Sequence, residues 1–480
     1  MSDETKSCRC CVLGAGPAGL ATALELVRHG ITGVVVIDRN NVPGGLARTE
    51  SFGGARFDIG PHRFFTKNAE VNNLWHEILG RDFRPVDRLT RIFYKKKLFN
   101  YPIKAADALI KLGLVQAIHA LASFAVAKVK PHREAVTFED WITQRFGRKL
   151  YETFFKTYTE KVWGIPCSQI GAEWAAQRIK GLDIVQVIRN AVFGAGKKQA
   201  KTLVEQFDYP RLGAGQMYEA IAQKCAEKGV EFMFAATALS FQQQDNKIMS
   251  VKVACNSGRT VYIKAEQFFS SVPLTQFFTM LQPCEADEVL ESAKALYFRD
   301  HITVNLLVQG TGLFPDQWVY VHSPDVRVAR VANYNNFSKE MAGREGRTPL
   351  SAEYFIFQHD DMWKKEDDYF KTLAITELRQ IGLIKEEDVQ QTWVVRETEA
   401  YPTYYLGFEA PYEKLKKRMD QFVNIMPIGR GGMYKYNNQD HSTYSGLLAA
   451  RNYLKLADSP YNLWDINIDA EYHESAKRQQ

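Results

Sequence analysis

Apolar residues run together up to Leu13, break at Gly14-x-Gly16-x-x-Gly19, resume at helical spacing, and run together again over Val34–Ile37 before Asp38. The stretch Cys11–Asp38 therefore predicts a strand, a glycine turn, a helix, a second strand and a terminal acid. Each part has work to do if the ligand is a dinucleotide. Gly14 permits the tight turn, Gly16 lets the backbone approach a pyrophosphate, and Gly19 lets helix and strand pack closely. The helix N-terminus then faces the phosphates with open N–H groups. Asp38 stands where it can accept from ribose hydroxyls.

Farther along, Arg39–Thr49 forms a second glycine-bearing turn. There Gly44-Gly45 lets backbone pass close to a ligand, and Arg48 offers a fork suited to a pyrophosphate. Phe57–Phe65 is a short apolar element ending in Gly60-Pro61-His62, which sets an imidazole on a rigid turn. Leu89–Lys104 alternates as a hairpin, with Lys95–Lys97 as its solvated tip and Pro102 ending the second strand. Ala105–Phe193 reads as almost wholly helical, and Gly194–Lys201 as a basic linker. Within it, Ala106–Val129 is rich in apolar residues but interrupted by Lys111, His119 and Lys128, short of a transmembrane span. Its basic flanks leave two readings open: a helix packed on its neighbours, or one lying on a membrane surface.

Strands are expected near Val230–Phe234, Ile248–Val253, Thr260–Ile263 and Phe268–Val272, the last ending at Pro273. Ala295–Phe357 is strand-rich, Lys364–Ile381 is a charged helix, and Val394–Phe408 is extended. Gly429–Ser442 is a late glycine turn feeding a long helix over Thr443–Leu456. The polar last twenty-odd residues read as a tail.

Composition narrows the class without deciding it. The 480 residues are 45% hydrophobic and 24% charged, with a net charge of +6. That describes a globular chain suited to anionic small molecules, without the basic run of a nucleic-acid tract. The polar N-terminus has no signal core, which points to a cytoplasmic protein. Seven cysteines spread over the chain argue against a disulfide framework. Cys8, Cys10 and Cys11 lack partners at zinc spacing, so burial is expected and no metal.

NAD and FAD proteins share the opening fingerprint. The second turn with Arg48 and the late Gly429–Ser442 motif favour FAD, because that turn feeds a helix N-terminus able to stabilise charge on a reduced flavin. No second glycine-fingerprint unit exists for a separate nicotinamide, so NAD(P)H or another reductant would have to enter the substrate cleft.

Separated motifs then carry a resemblance over roughly residues 9–456: GAGPAGL, PGGLART, GPHRFF, FYKKKLFNYP, YTEKVWGIP, AAQRIKG, WVYVHSPDVRVARVANYNNFS, AYPTYY and GRGGMYKYNNQDHS. The chain resembles the UDP-galactopyranose mutase branch of the flavoprotein superfamily that also holds flavin amine oxidases and protoporphyrinogen oxidases. The resemblance implies an α/β fold: a Rossmann-like FAD-binding domain with a parallel sheet, a helical insertion, and an antiparallel-sheet substrate domain. It implies FAD-binding segments at 1–90, 203–280 and 411–458, a hairpin of the substrate domain at 91–103 and a helical insertion at 104–202. The substrate sheet falls at 281–410 and the tail at 459–480.

It further implies isomerisation without net redox change: reduced FAD attacks the anomeric carbon of a nucleotide-linked sugar through N5, and the sugar recloses between pyranose and furanose forms. Arg178 and Arg330 match the diphosphate-binding arginines. Trp318, Tyr320, Tyr401, Tyr436, Tyr158, Trp163 and Asn100 match substrate positions, and His62 matches the histidine that contacts the flavin in that family. Cofactor positions are Gly14, Gly16, Pro17, Ala18, Gly19, Asp38, Arg39, Gly45, Leu46, Ala47, Arg48, Gly60, Pro61, His62, Arg430, Asn438, Gln439, Asp440 and Ser442, with His441 beside them. Arg63 and Phe64 depart from the family pattern and are expected to reshape the floor of the cleft.

Several of these side chains have plainer readings. Arg178 could be a solvated helix residue, Arg330 an edge-strand guard, and Trp163, Tyr401 and Tyr436 ordinary core aromatics. The alternative function is an FAD-dependent oxidoreductase, a dehydrogenase or desaturase of a glycan or lipid-linked glycan. A third reading is a flavoprotein serving as a binding subunit in glycan assembly. Cell-surface glycan biosynthesis is the setting the resemblance implies.

Overall fold

The structure, a computed structural model, describes residues 4–101, 103, 105–129, 134–172 and 206–466. β1 (Glu4–Leu13) leads through the glycine turn into α1 (Pro17–Arg28) and β2 (Val34–Ile37). The last four residues of β1 and all four of β2 are buried, as expected of parallel strands covered on both faces. Cys10 and Cys11 lie in that buried half. β3 (Thr49–Phe52) and β4 (Ala55–Asp58) form a small antiparallel pair. Next come α2 (Ala69–Leu79), β5 (Phe83–Asp87), and the hairpin β6 (Thr90–Tyr94) and β7 (Lys97–Asn100). Its turn is two residues, Lys95 and Lys96, both at positive φ (48° and 62°), a geometry that matches strand twist. Lys97 therefore opens β7 rather than closing the tip.

The helical stretch follows as α3 (Ala105–Leu112), α4 (Leu114–Val129) and α5 (Phe138–Phe146). Thr137 and Asp140 close a capping box at the start of α5. Arg148–Leu150 and Thr157–Trp163 are α-helical, but between them Tyr151–Lys156 is π-helical. The wider turn shifts the face that an unbroken α-helix would present. The rest of the expected helical stretch, 173–193, with Arg178, and the expected linker at 194–201 lie outside the described residues.

β8 (Gln206–Pro210) pairs with β5. β9 (Glu231–Met233), β10 (Ala236–Gln244), β11 (Lys247–Cys255), β12 (Thr260–Ser270) and β13 (Leu281–Gln282) follow. They meet the start of the chain in one sheet, ordered β13-β10-β11-β12-β1-β2-β9. The two strands expected between Thr260 and Val272 are a single one. The first part of β12 pairs with β11 and its end with β19 (Ile425–Pro427), while β1 runs parallel along its other edge. β10 has no counterpart in the hydrophobic pattern. Register shifts at Ala238/Ser240 and Gln242/Gln243 break its alternation.

β14 (Phe298–Gln309), β15 (Trp318–Val321), β16 (Arg330–Asn333), β17 (Arg347–Ile356) and β18 (Val389–Pro402) build the second sheet. Its order is β18-β14-β17-β16-β15-β6-β7, so the early hairpin completes it. Every neighbouring pair is antiparallel except β15 with β6.

Helices α2, Asp287–Ala295 and Glu409–Met419 went unforeseen. The last is mostly charged and buries only Leu415 and Met419, too few positions for a helical stripe. The charged helix is Asp367–Gln380, and the final helix starts at Gln439, ahead of Thr443. Of the expected tail at 459–480, residues 459–466 are described and packed on the fold. Trp464 is buried and its indole N–H donates to Asp420 Oδ1 at 2.7 Å, so the chain is held as far as Ile466.

Candidate functional site

The parallel strands end side by side, and their C-terminal turns are laced together. Gly14 N donates to Ile37 O at 2.7 Å and Gly44 N to Ala15 O at 2.8 Å. Asp38 braces the first turn: its carboxylate accepts from Ala15 N at 2.6 Å and Asn40 N at 2.8 Å. Burial raises its pKa, and those two amides oppose the rise. A Cβ on Gly19 would stand 1.8 Å from Gly14 O, so only glycine lets α1 start this close to the strand. Gly16 caps α1 without a side chain, leaving the first-turn N–H groups for a ligand.

Between the two sheets lies a cavity of about 430 Å³. Gly14, Gly16, Pro17, Ala18, Gly19, Asp38, Arg39, Gly45, Leu46 and Ala47 line it from the first two turns, and Pro61 and His62 from the third. Trp318, Tyr320 and Arg330 come from the second sheet. Arg430 comes from a short helix, Gly429–Met433, where a turn is expected; Tyr436 and Asn438 come from the loop after it, and Gln439, Asp440 and Ser442 from the final helix. Arg48, Gly60, Asn100, Tyr158, Trp163 and Tyr401 are not among the lining residues, and Arg178 lies outside the described ones.

Arg48 departs from its expected role. Its guanidinium is buried, with Nε on Glu50 at 2.6 Å, Nη1 on Gly45 O at 3.1 Å and Nη2 on Glu397. All three nitrogens are occupied, so Arg48 clamps the second turn to β18 instead of presenting a fork. Phe64 is corrected too. It is buried edge-on against Trp75 and Phe83, and only Arg63 of the pair reaches the cavity.

Arg330 is not an edge guard, because β16 runs between β15 and β17 in the interior of its sheet. Its register partner is Glu353, fully buried on β17. Nε donates to Oε1 at 2.6 Å, Nη2 donates to Oε2, and His301 Nε2 stands 3.0 Å from Oε2. Burial alone would raise the pKa of Glu353, but Arg330 and His301 more than reverse this and bring it down to about 2. Gly60, at φ 82°, seats the third turn on this pair: a Cβ there would lie 2.8 Å from Glu353 Oε2. His62 Nδ1 is 3.1 Å from Gly60 O, which puts the proton on Nδ1 and leaves Nε2 an acceptor. Burial, then the Arg430 and Arg330 charges, push the imidazole down to about 4, so it is neutral at neutral pH.

Aromatic side chains fill out this end. Tyr320 meets Tyr158 and Tyr101 edge-on, and Tyr158 stacks on His322. Tyr401 and Tyr436 stack at 5.4 Å, with Trp163 against Tyr436. Arg430 lies over both tyrosine rings and donates to Asn437 O and Ala400 O, each at 2.9 Å. Asn100 closes β7 and its backbone N–H donates to Asp107.

Sequence reasoning missed Glu353 and His301. The one signal was an acid inside the apolar run around Ser351–Phe357, which burial requires to be paired. It also missed Ser271, which ties the end of β12 to Leu13 O, and the backbone edge Thr237–Ala238. Glu399 is the least visible of all. A bulge in β18, between the partners of Arg299 and His301, turns it to φ 59° and into the cavity. Gln276 donates to its Oε1, Arg39 lies 3.6 Å from Oε2, and burial raises its pKa.

These features are what a dinucleotide requires: bare glycine turns, an open helix start, an acid at the second strand tip and a cavity running to a second sheet. The sequence profile of the flavin containing amine oxidoreductases matches residues 17–451. The chain belongs to that family. It is accordingly a flavin-dependent enzyme.

Relatives within and around the family are distant. A probable UDP-galactopyranose mutase of Klebsiella pneumoniae is 27% identical over 178 residues, 34% of this chain and 42% of that protein. A neurosporene-forming phytoene desaturase of Rhodobacter capsulatus is 42% identical over 84 residues, 17% of this chain and 16% of that one. The matched stretches thus span less than half of these relatives. In fold, the chain is similar to a crystal structure of reduced UDP-galactopyranose mutase, with a TM-score of 0.82 and 21% identity, covering 96% of this chain and 98% of that one.

Proposed function

We propose that this flavoenzyme binds FAD along the cavity and, with the cofactor reduced, interconverts pyranose and furanose forms of a nucleotide-linked sugar. The observation that carries the reading is the position of Arg330. It shares a cavity wall with His62 and the glycine turns, held by Glu353, with Trp318, Tyr320 and Tyr436 also lining the cavity. The nucleotide-sugar relatives support it by likeness.

The chain's own contributions follow from the geometry. Gly14–Gly19 and the start of α1 bind the dinucleotide pyrophosphate through backbone N–H groups. Reduced flavin, when bound, supplies a nucleophile for the anomeric carbon. Arg330 holds the substrate diphosphate while its bond to the sugar breaks and reforms. Two of its nitrogens are bonded to Glu353, and among the described residues Nη1 has no hydrogen-bond partner. Glu353 fixes the plane of the guanidinium, which makes the site preorganised for developing negative charge. His62 stays neutral, with Nε2 able to accept a proton or a hydrogen bond. The charges of Arg430 and Arg330 that depress its pKa also make this end of the cavity attractive to an anion. Tyr436 lines the cavity, and Tyr401 and Trp163 packed against it back a wall that excludes water around the sugar.

One observation favours a second reading. Glu353 offsets the charge of Arg330, so among the described residues this end of the cavity carries less positive charge than its arginines alone would give. That balance suits an FAD-dependent oxidoreductase acting on a less charged substrate. The deciding experiment incubates FAD-loaded, dithionite-reduced protein with UDP- and dTDP-hexoses and separates the products. Isomerised sugar without net flavin oxidation supports the mutase. Stoichiometric reduction of oxidised flavin by a substrate, with no isomerised product, selects the oxidoreductase.

A further inference from the structure

An ordinary surface helix turns its large apolar side chains inward. α4 does the reverse. The residues it buries are Ala117 and Ala120, while Leu114 (77% exposed), Val115, Ile118 (54%), Val126 and Val129 (86%) face outward. At 100° per residue these outward positions share an arc of about a third of the helix circumference, bordered by His119 and Lys128. Ile110 of α3, 80% exposed, adds to the apolar surface. A contiguous patch of this kind marks a contact surface rather than a solvated one.

The surrounding charge indicates the partner. From Ala108 to Arg133 the sequence holds no Asp or Glu, but Lys111, Lys128, Lys130 and Arg133, with His119 and His132. Lys111 is taken up by Asp107 and Leu98 O, while Lys128 extends from the exposed side of α4. Among the described residues the apolar face of α4 is bordered by His119 and Lys128, and α4 itself carries no acid, which complements a surface that is apolar inside and anionic outside. α4 is only 16 residues long, and among the described residues no helix is long and apolar enough to cross a membrane. The helix can lie in a bilayer interface but cannot span it.

It is also firmly mounted. Ser123 Oγ accepts from Lys149 N at 3.1 Å, and Lys97 of the hairpin donates to Lys111 O at 2.6 Å, joining the helices to the second sheet. We infer that α3 and α4 form a docking surface that seats the enzyme on an anionic lipid bilayer, with the outward aliphatic residues of α4 inserted among the acyl chains. This inference does not depend on the sugar-nucleotide reading.

The test uses the full-length, FAD-loaded protein and vesicle sedimentation at low salt. Wild type should sediment with vesicles of phosphatidylcholine containing phosphatidylglycerol and stay in solution with phosphatidylcholine alone. Raising the salt should weaken binding. I118D/V126D should lower the partition coefficient about 10-fold or more, with flavin spectrum and melting temperature unchanged. If that variant fails to fold, Leu114→Trp keeps the face apolar, and its added emission should shift to the blue and be quenched by brominated lipid. Failure to sediment with the anionic vesicles, equal binding to neutral ones, or added indole emission in Leu114→Trp that brominated lipid leaves unquenched overturns the proposal. So does a protein that forms dimers through this face, broken by I118D/V126D, and ignores vesicles.

Discussion

Arg330 and Glu353 are cross-strand partners whose side chains close a two-point ion pair in the interior of the second sheet, with Nε on Oε1 at 2.6 Å and His301 on the same carboxylate. Removing one partner leaves the other charge buried and uncompensated. Arg330→Ala should therefore destabilise the fold by about 3–5 kcal/mol and abolish nucleotide-sugar binding. The double variant Arg330→Met/Glu353→Gln should regain much of the stability but not the binding. Urea denaturation and ligand titration of the flavin-loaded proteins check both parts. Normal affinity in the double variant would remove Arg330 from the site.

The imidazole of His62 is held neutral down to about pH 4, against an ordinary value of 6.5, by burial and by Arg430 and Arg330. The native state thus binds fewer protons than the unfolded chain between these values. Its contribution to stability is fully present above pH 6.5 and is lost as pH falls toward 4. His62→Gln should flatten this part of the stability profile, measured by denaturation at a series of pH values. His322, pushed down to about 3, will keep some of the slope. An acid limb of unchanged steepness would contradict the assignment.

Glu399 points a buried carboxylate oxygen into the cavity, and that oxygen has no hydrogen-bond donor among the described residues. A hydroxyl of the bound dinucleotide would supply one. Glu399→Ala should raise the dissociation constant for FAD by about 10-fold, the scale of one charge-assisted hydrogen bond. Arg39→Ala, which loosens the pair from the solvent side, should have a smaller effect. Flavin fluorescence on rebinding to apoprotein measures both.

Gly19→Ala should be far more severe. With Gly14 O only 1.8 Å from the new Cβ, the start of α1 must move, and its N–H groups move with it. The expected product is a protein purified colourless even when cofactor is supplied.

How much of this could be read beforehand followed from how local each feature is. The glycine turn, α1, β2 and Asp38 lie within one short stretch, and their chemistry depends on neighbours a few residues away. They were legible, as was the hairpin; the expected late turn instead opens with a short helix, Gly429–Met433. Arg48 was misread because its partners Glu50 and Glu397 include one from β18, 349 residues away. Glu353 needed the pairing of β16 with β17 before its acid could be matched to Arg330. Glu399 needed a bulge that exists only because β18 is registered against β14. β10 was hidden by its own irregular pairing, and the helix Glu409–Met419 by a face too polar to show a period. The outward apolar face of α4 could not be told from a core-facing one, since periodicity shows that a stripe exists and not which side it faces.

The most direct test of the central claim, that flavin and substrate diphosphate share one cavity with Arg330 in its wall, is an absorbance titration. FAD-loaded protein reduced by dithionite is titrated with UDP, UDP-hexoses and dTDP-hexoses, in wild type and in Arg330→Met/Glu353→Gln. The account predicts a saturable change in the flavin spectrum with at least one nucleotide sugar in wild type and none in the variant. A wild-type spectrum indifferent to every nucleotide sugar, or a variant that responds as wild type does, would contradict it.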